Sequence, residues 1–87
     1  MRRWVHVFKA FANINRVKIV NLLAHRERMS VTDIADALDI SLKATSKHLI
    51  MLDNLDVLSS KGKENHVFYS LNSEMPKDLA STVKLFL

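Results

Sequence analysis

The chain has no cysteine, a single glycine and a single proline in 87 residues. Lacking thiols, it makes no disulfide, holds no thiolate-bound metal and offers no cysteine nucleophile. So little glycine and proline argues against a loop-rich fold and for long helices with short connections. No apolar run approaches the ~20 residues that cross a bilayer, and the first residues do not resemble a signal peptide. A cytoplasmic protein without membrane contact is therefore expected. Chemistry-bearing patterns are missing too. There is no nucleophile elbow, no phosphate-binding glycine loop, and no His-x-x-x-His pair among His6, His25, His48 and His66. Asp33, Asp36 and Asp39 fall at i, i+3 spacing, but carboxylates around a short solvated helix are an ordinary surface. An enzyme is not expected, nor a cofactor or a metal.

What remains is a globular composition, 48% hydrophobic and 25% charged, enough for one domain over residues 1–87. A domain of this size buries only about 60–65% of its unfolded surface, so a partner subunit would add stability. The net charge of +4 is unevenly spread: residues 1–28 carry seven Lys/Arg against one Glu, and residues 29–87 carry six against eight acids. A basic excess favours a polyanion through counterion release.

Trp4, Val5, Val7, Phe8 and Phe11, set among Arg2, Arg3, His6 and Lys9, predict a first helix that is apolar on more than one side. Asn13 or Asn15 caps a second helix with the stripe Ile14, Val17, Ile19, Val20, Leu22 and Leu23. It ends in His25-Arg26-Glu27-Arg28, whose cations suit a helix C-terminus. A short third helix starts near Ser30 or Val31, with Thr32 as its cap and Ile34, Ala35 and Leu38 facing inward. Asp39-Ile40-Ser41 makes a turn, and Ser41 caps a fourth helix over about 42–55. Two β-runs, Val57-Leu58-Ser59-Ser60 and residues 66–71, flank a polar turn over residues 61–65. Pro76 opens a last helix with Leu79, Val83 and Phe86 on one side. The order helix, helix, helix, helix, hairpin, helix is mainly α with a small β-hairpin, a winged helix-turn-helix.

At about 100° per residue the fourth helix divides into two arcs. Ala44, Thr45, His48, Leu49, Met51, Leu52 and Leu55 fall on the side that packs; Leu42, Lys43, Ser46, Lys47, Ile50 and Asn54 fall on the open side. One helix fits the major groove of B-DNA. There Lys43 and Lys47 reach phosphates or guanine acceptors, Ser46 donates or accepts, and Leu42 touches a thymine methyl. Thr32 and Ser41, near helix starts, suit phosphates. Lys61, Lys63, Asn65 and His66 give the hairpin a basic tip for the adjacent minor groove or backbone.

Residues 40–52, with the run Ser46-Lys47-His48-Leu49 and Leu52 beyond it, resemble the recognition helix of ArsR-like winged-helix repressors. Residues 11–20 are similar to that family's segment opening helix two, and residues 66–71 to its second wing strand. The resemblance covers about residues 8–71. It implies a homodimer paired through the first and last helices, here Trp4, Val5, Phe8, Phe11, Leu79, Val83 and Phe86. Two recognition helices would then sit roughly one DNA turn apart on a near-palindromic site. Many family members sense metals through cysteines on helix three or Asp/His pairs on the last helix. Here residues 32–38 carry no thiolate, and the last helix has Asp78 but no histidine. The family's usual glycines before the wing and in its turn are replaced near Asp56 and by Glu64.

The expected function is sequence-specific binding of double-stranded DNA by a homodimeric regulator, a repressor, with no sensor motif for an effector. The competing expectation is a winged-helix module that docks proteins through exposed Leu42 and Ile50.

Overall fold

The computed structural model describes residues 2–85. Its elements are α1 (Arg2–Phe11), α2 (Ile14–Ala24), β1 (Met29–Ser30), α3 (Val31–Leu38), α4 (Leu42–Asn54), β2 (Leu58–Lys63), β3 (His66–Leu71) and α5 (Lys77–Lys84). This is the expected winged helix-turn-helix order, with the two-residue strand β1 added.

Short polar side chains start the three middle helices. Asn13 Oδ1 accepts from the N–H groups of Asn15 and Arg16 at 3.0 and 3.3 Å. Ser30 Oγ accepts from Asp33 at 3.1 Å, and Ser41 Oγ from Ala44 at 3.0 Å. Each cap contributes about 1 kcal/mol. The cap expected at Thr32 is therefore two residues early, at Ser30, where β1 ends and the chain turns; Thr32 stands exposed inside α3.

Aspartates end α3 and α4. Asp39 (φ 55°) and Asp56 (φ 64°) both adopt the left-handed region. The N–H groups of Asp39 and Ile40 bond back to Asp36 and Ala35 at 3.3 and 3.2 Å; those of Asp56 and Val57 bond to Asp53 and Leu52, both at 3.0 Å. A left-handed residue with this pair of bonds turns the chain sharply out of a helix. Only Asp39, Ile40 and Ser41 are left between α3 and α4, which sets the angle of the helix-turn-helix.

The sheet is antiparallel in the order β1-β3-β2, with Met29 opposite Tyr69 and Lys63 opposite His66. The hairpin loop is only Glu64-Asn65, both at positive φ (51° and 68°). That conformation lets a two-residue turn follow the strand twist. The polar turn expected over residues 61–65 is thus narrower. Lys61, Gly62 and Lys63 belong to β2, and Gly62 is not the residue that reverses the chain.

One core collects Val7 of α1, Ile19, Val20 and Leu23 of α2, Ile34 of α3, Leu49 and Leu52 of α4, Val57, sheet residues Leu58 and Tyr69, and Leu79 and Val83 of α5. Burying each such aliphatic side chain contributes about 1.5–3 kcal/mol. Leu79 and Val83, at 1% and 2% exposure, close the subunit's own core and leave no surface for a partner. That corrects their expected place in a dimer interface; Phe86 lies outside the described residues. Met51, placed by angle on the packing arc, sits at its edge and is 41% exposed.

Arg16 ties three helices together. Its Nε donates to the carbonyl of Ala10 at 2.7 Å, its Nη2 to that of Lys9 at 3.4 Å, and its Nη1 to His48 Nδ1 at 3.1 Å. His48 therefore stays a neutral ring with its proton on Nε2. Burial first, and the Arg16 charge second, hold its pKa below the ordinary 6.5.

Two outcomes are expected. Glutamate tolerates the left-handed region poorly, so Glu64→Gly should stabilise the chain by about 0.5–1 kcal/mol despite a freer unfolded state. A lower thermal midpoint in that variant would contradict this account of the turn. For His48, the unfolded chain binds the proton more readily than the folded one. The stability it contributes is complete above its ordinary pKa of 6.5 and is lost as pH falls through that value towards the folded pKa. Urea unfolding at stepped pH should show this loss in the wild type and a shallower one in His48→Gln, whose amide oxygen accepts from Arg16 without titrating.

Candidate nucleic-acid interface

Helix α4 is oriented from within. Thr45 is fully buried and its Oγ1 donates to the Ser41 carbonyl at 2.8 Å, so the face of Thr45, Leu49 and Leu52 is fixed on the core. The opposite face then has no choice but to look outward. Leu42 (54% exposed), Lys43, Lys47, Ile50 and Asn54 are exposed and Ser46 is half-buried.

A surface groove joins three separate parts of the chain. Ser30, Val31 and Thr32 at the start of α3, Leu42 and Ser46 at the start of α4, and Asn65, His66 and Val67 at the wing tip all line it. Five sequence candidates, Thr32, Leu42, Ser46, Asn65 and His66, thus converge. Helix starts present unpaired N–H groups and a positive dipole end, so two of the three walls suit an anion. Ser41 is exposed; its Oγ accepts from Ala44 and can still donate its proton.

The remaining wing candidates lie differently. Lys61 is opposite Phe68 and Lys63 opposite His66, so these four share one face of the ribbon, and of them only His66, beside the Glu64-Asn65 turn, reaches the edge of the groove. Val67, which lines the groove, and Tyr69, which enters the core, share the other. Lys61 and Lys63 are therefore on the outer face of the wing and do not converge with Ser46. Arg28 joins them there, its guanidinium 5.0 Å above the Phe68 ring. Sequence reasoning passes over Arg28, because β1, which brings it beside β3, is too short to carry a period.

The wing root is pinned to α4 and to the turn that follows it. Ser60 Oγ donates to Asp53 Oδ2 at 3.0 Å, and Asn72 Nδ2 donates to the Asp56 carbonyl at 3.0 Å. Burial, and then the Asp53 charge, push the Tyr69 pKa above its usual 10.0, so the phenol remains neutral. The N-terminal cations are not all free for a polyanion. Arg3 Nη2 donates to the Leu55 carbonyl at 3.1 Å, and Arg16 is occupied at the helix junction. Among the described residues no cluster of His, Asp and Glu is arranged to hold a metal, and no helix is long and apolar enough to cross a membrane.

Known proteins share this arrangement. The sequence pattern described as "Bacterial regulatory protein, arsR family" matches residues 13–60, from the Asn13 cap into β2. The cadmium resistance transcriptional regulatory protein CadC of Listeria innocua is 38% identical over 66 residues, 76% of this chain and 56% of that protein. The chain thus spans little more than half the length of that relative. The transcriptional repressor SdpR of Bacillus subtilis is 37% identical over 73 residues, 84% of this chain and 80% of SdpR. Among solved structures, HlyU of Vibrio cholerae superposes with a TM-score of 0.79 at 27% identity, over 97% of this chain and 87% of its own. The homodimeric winged helix-turn-helix DNA-binding domain of Mb0332 from Mycobacterium bovis gives 0.80 at 26% identity, over 97% and 74%. These relatives are named as regulators, not as enzymes. With helix, turn, helix and wing in the same order and the pattern matched over more than half its length, the chain belongs to the arsR family of bacterial regulatory proteins.

Proposed function

We propose that the chain binds double-stranded DNA as a homodimer and regulates transcription, as a repressor, with α4 in the major groove and the wing on the adjacent minor groove or backbone. The observation that carries this reading is the groove uniting the starts of α3 and α4 with the wing tip. Lys43, Ser46 and Lys47 take groove contacts and Leu42 an apolar one; Thr32 and Ser41 take phosphates. Asn65 and His66, at the wing tip, meet the DNA beside α4; Lys61, Lys63 and Arg28, on the outer face that the His66 side chain shares, meet the backbone.

Pairing uses one flank of α1. Val5 is 50% and Phe8 63% exposed, and the Phe8 ring lies 5.6 Å from that of Trp4. Exposed Phe8 and Val5, with half-buried Trp4 and Phe11 beside them, form a surface that a second copy covers. The names of SdpR as a repressor and of the Mb0332 domain as a homodimer support the same assignment.

The deciding experiment selects the purified protein's targets from random duplex DNA at two salt concentrations. A near-palindrome with half-sites about ten base pairs apart is expected. Sequence-blind binding that disappears with salt would leave only charge attraction and favour a protein-docking module. Lys43→Ala combined with Lys47→Ala should weaken operator binding about tenfold or more and flatten its salt dependence, with the dimer intact. Unchanged affinity removes α4 from the groove. Phe8→Glu should sediment as a folded monomer; a dimer in that variant would move the interface elsewhere.

A further inference from the structure

A second groove runs between α1 and α4. Ile50, Met51 and Leu55 give it an apolar floor, and His6, Lys9 and Lys47 stand around it; none of its lining residues carries a carboxylate. Its open space, roughly 490 Å³, is that of a small-ligand cleft, typically ~300–1,000 Å³. Arg3, bonded to the Leu55 carbonyl, adds a cation where the floor ends.

The groove is separate from the flank assigned to pairing. Val7 and Ala10 point α1 into the core. At about 100° per residue, His6 and Lys9 then fall to one side of that direction and Trp4 and Phe8 to the other. A copy centred on Trp4 and Phe8 would meet α1 on the side away from His6, with Val5 between the two surfaces.

Its chemistry selects an occupant. Methionine adapts to unbranched aliphatic chains, and lysine stems extend an apolar wall while their ammonium groups stay in water. Cations around an apolar floor, with no acid among them, complement an amphiphile bearing one negative charge. We propose that the α1–α4 groove binds a medium-chain aliphatic carboxylate, its chain on Ile50, Met51 and Leu55 and its head group at Lys9 and Lys47. Lys47 also belongs to the DNA-facing side of α4. Occupancy therefore draws its charge away from DNA and weakens operator binding, a consequence that rests on the DNA-binding reading above.

The test uses the full chain, labelled with 15N and titrated with sodium octanoate below its micelle-forming concentration, with 1-octanol as the uncharged control. Saturable amide shifts at His6, Lys9 and residues 47–55 are expected, with octanoate bound about fivefold more tightly than octanol, the worth of an exposed ion pair. Met51→Ser, at a 41%-exposed site that the fold does not need, should weaken octanoate at least threefold. Equal affinities, shifts gathered on the Trp4 and Phe8 flank, or an unaffected Met51→Ser variant would overturn the site. Operator binding is then followed by fluorescence anisotropy with saturating octanoate. A threefold or greater loss in the wild type, absent in Met51→Ser, supports the coupling; unchanged affinity with the groove filled overturns it. If the chain binds no DNA even without octanoate, the DNA reading fails, and the amide titration still decides the groove.

Discussion

The guanidinium of Arg16 is the constraint on which the arrangement of helices depends. It satisfies carbonyls at the end of α1, sits one turn inside the Asn13-capped start of α2, and reaches the His48 ring on α4. A charged group this well supplied with acceptors loses little by partial burial, whereas its removal would leave the Ala10 carbonyl and the His48 ring nitrogen without this donor. Because the planar fork fixes direction as well as distance, it sets α4 relative to the helices beneath it. The outward direction of Lys43 and Lys47 follows from that placement.

The helix stops complete the frame. Asp39 and Asp56 end their helices by the same pair of backbone bonds, so the turn into α4 and the turn out of it are built alike. From the second turn the wing rises, held at its root by Ser60 on Asp53 and by Asn72 on Asp56. Helix α4 and the wing are thus joined by side-chain bonds as well as by the chain. A surface made from the start of α3, the start of α4 and the wing tip needs such ties, since its parts are far apart in sequence.

Much of this was legible from residue patterns alone. Helix starts were readable at Asn13 and Ser41 because capping is local chemistry, and the open arc of α4 because 3.6-residue periodicity survives folding. The glycine replacements at Asp56 and Glu64 marked positions that do adopt positive φ. What escaped was long-range. β1 is two residues long and exists only through its pairing with β3, so neither it nor the placement of Arg28 could be read locally. Leu79 and Val83 form an apolar stripe whose destination, own core or partner, periodicity does not specify. The role of Arg16 was not readable either, since nothing in sequence announces three helices meeting at one side chain.

The burial of that α5 stripe inside the subunit bears on how the chain responds to its own dosage. A subunit that closes its core with its own α5 differs from an obligate dimer, in which fold and assembly are one event. Were the proposed homodimer to form from such subunits, its amount at low concentration would rise with the square of theirs, so occupancy of a dimer's site would follow copy number more steeply than that of a monomer's.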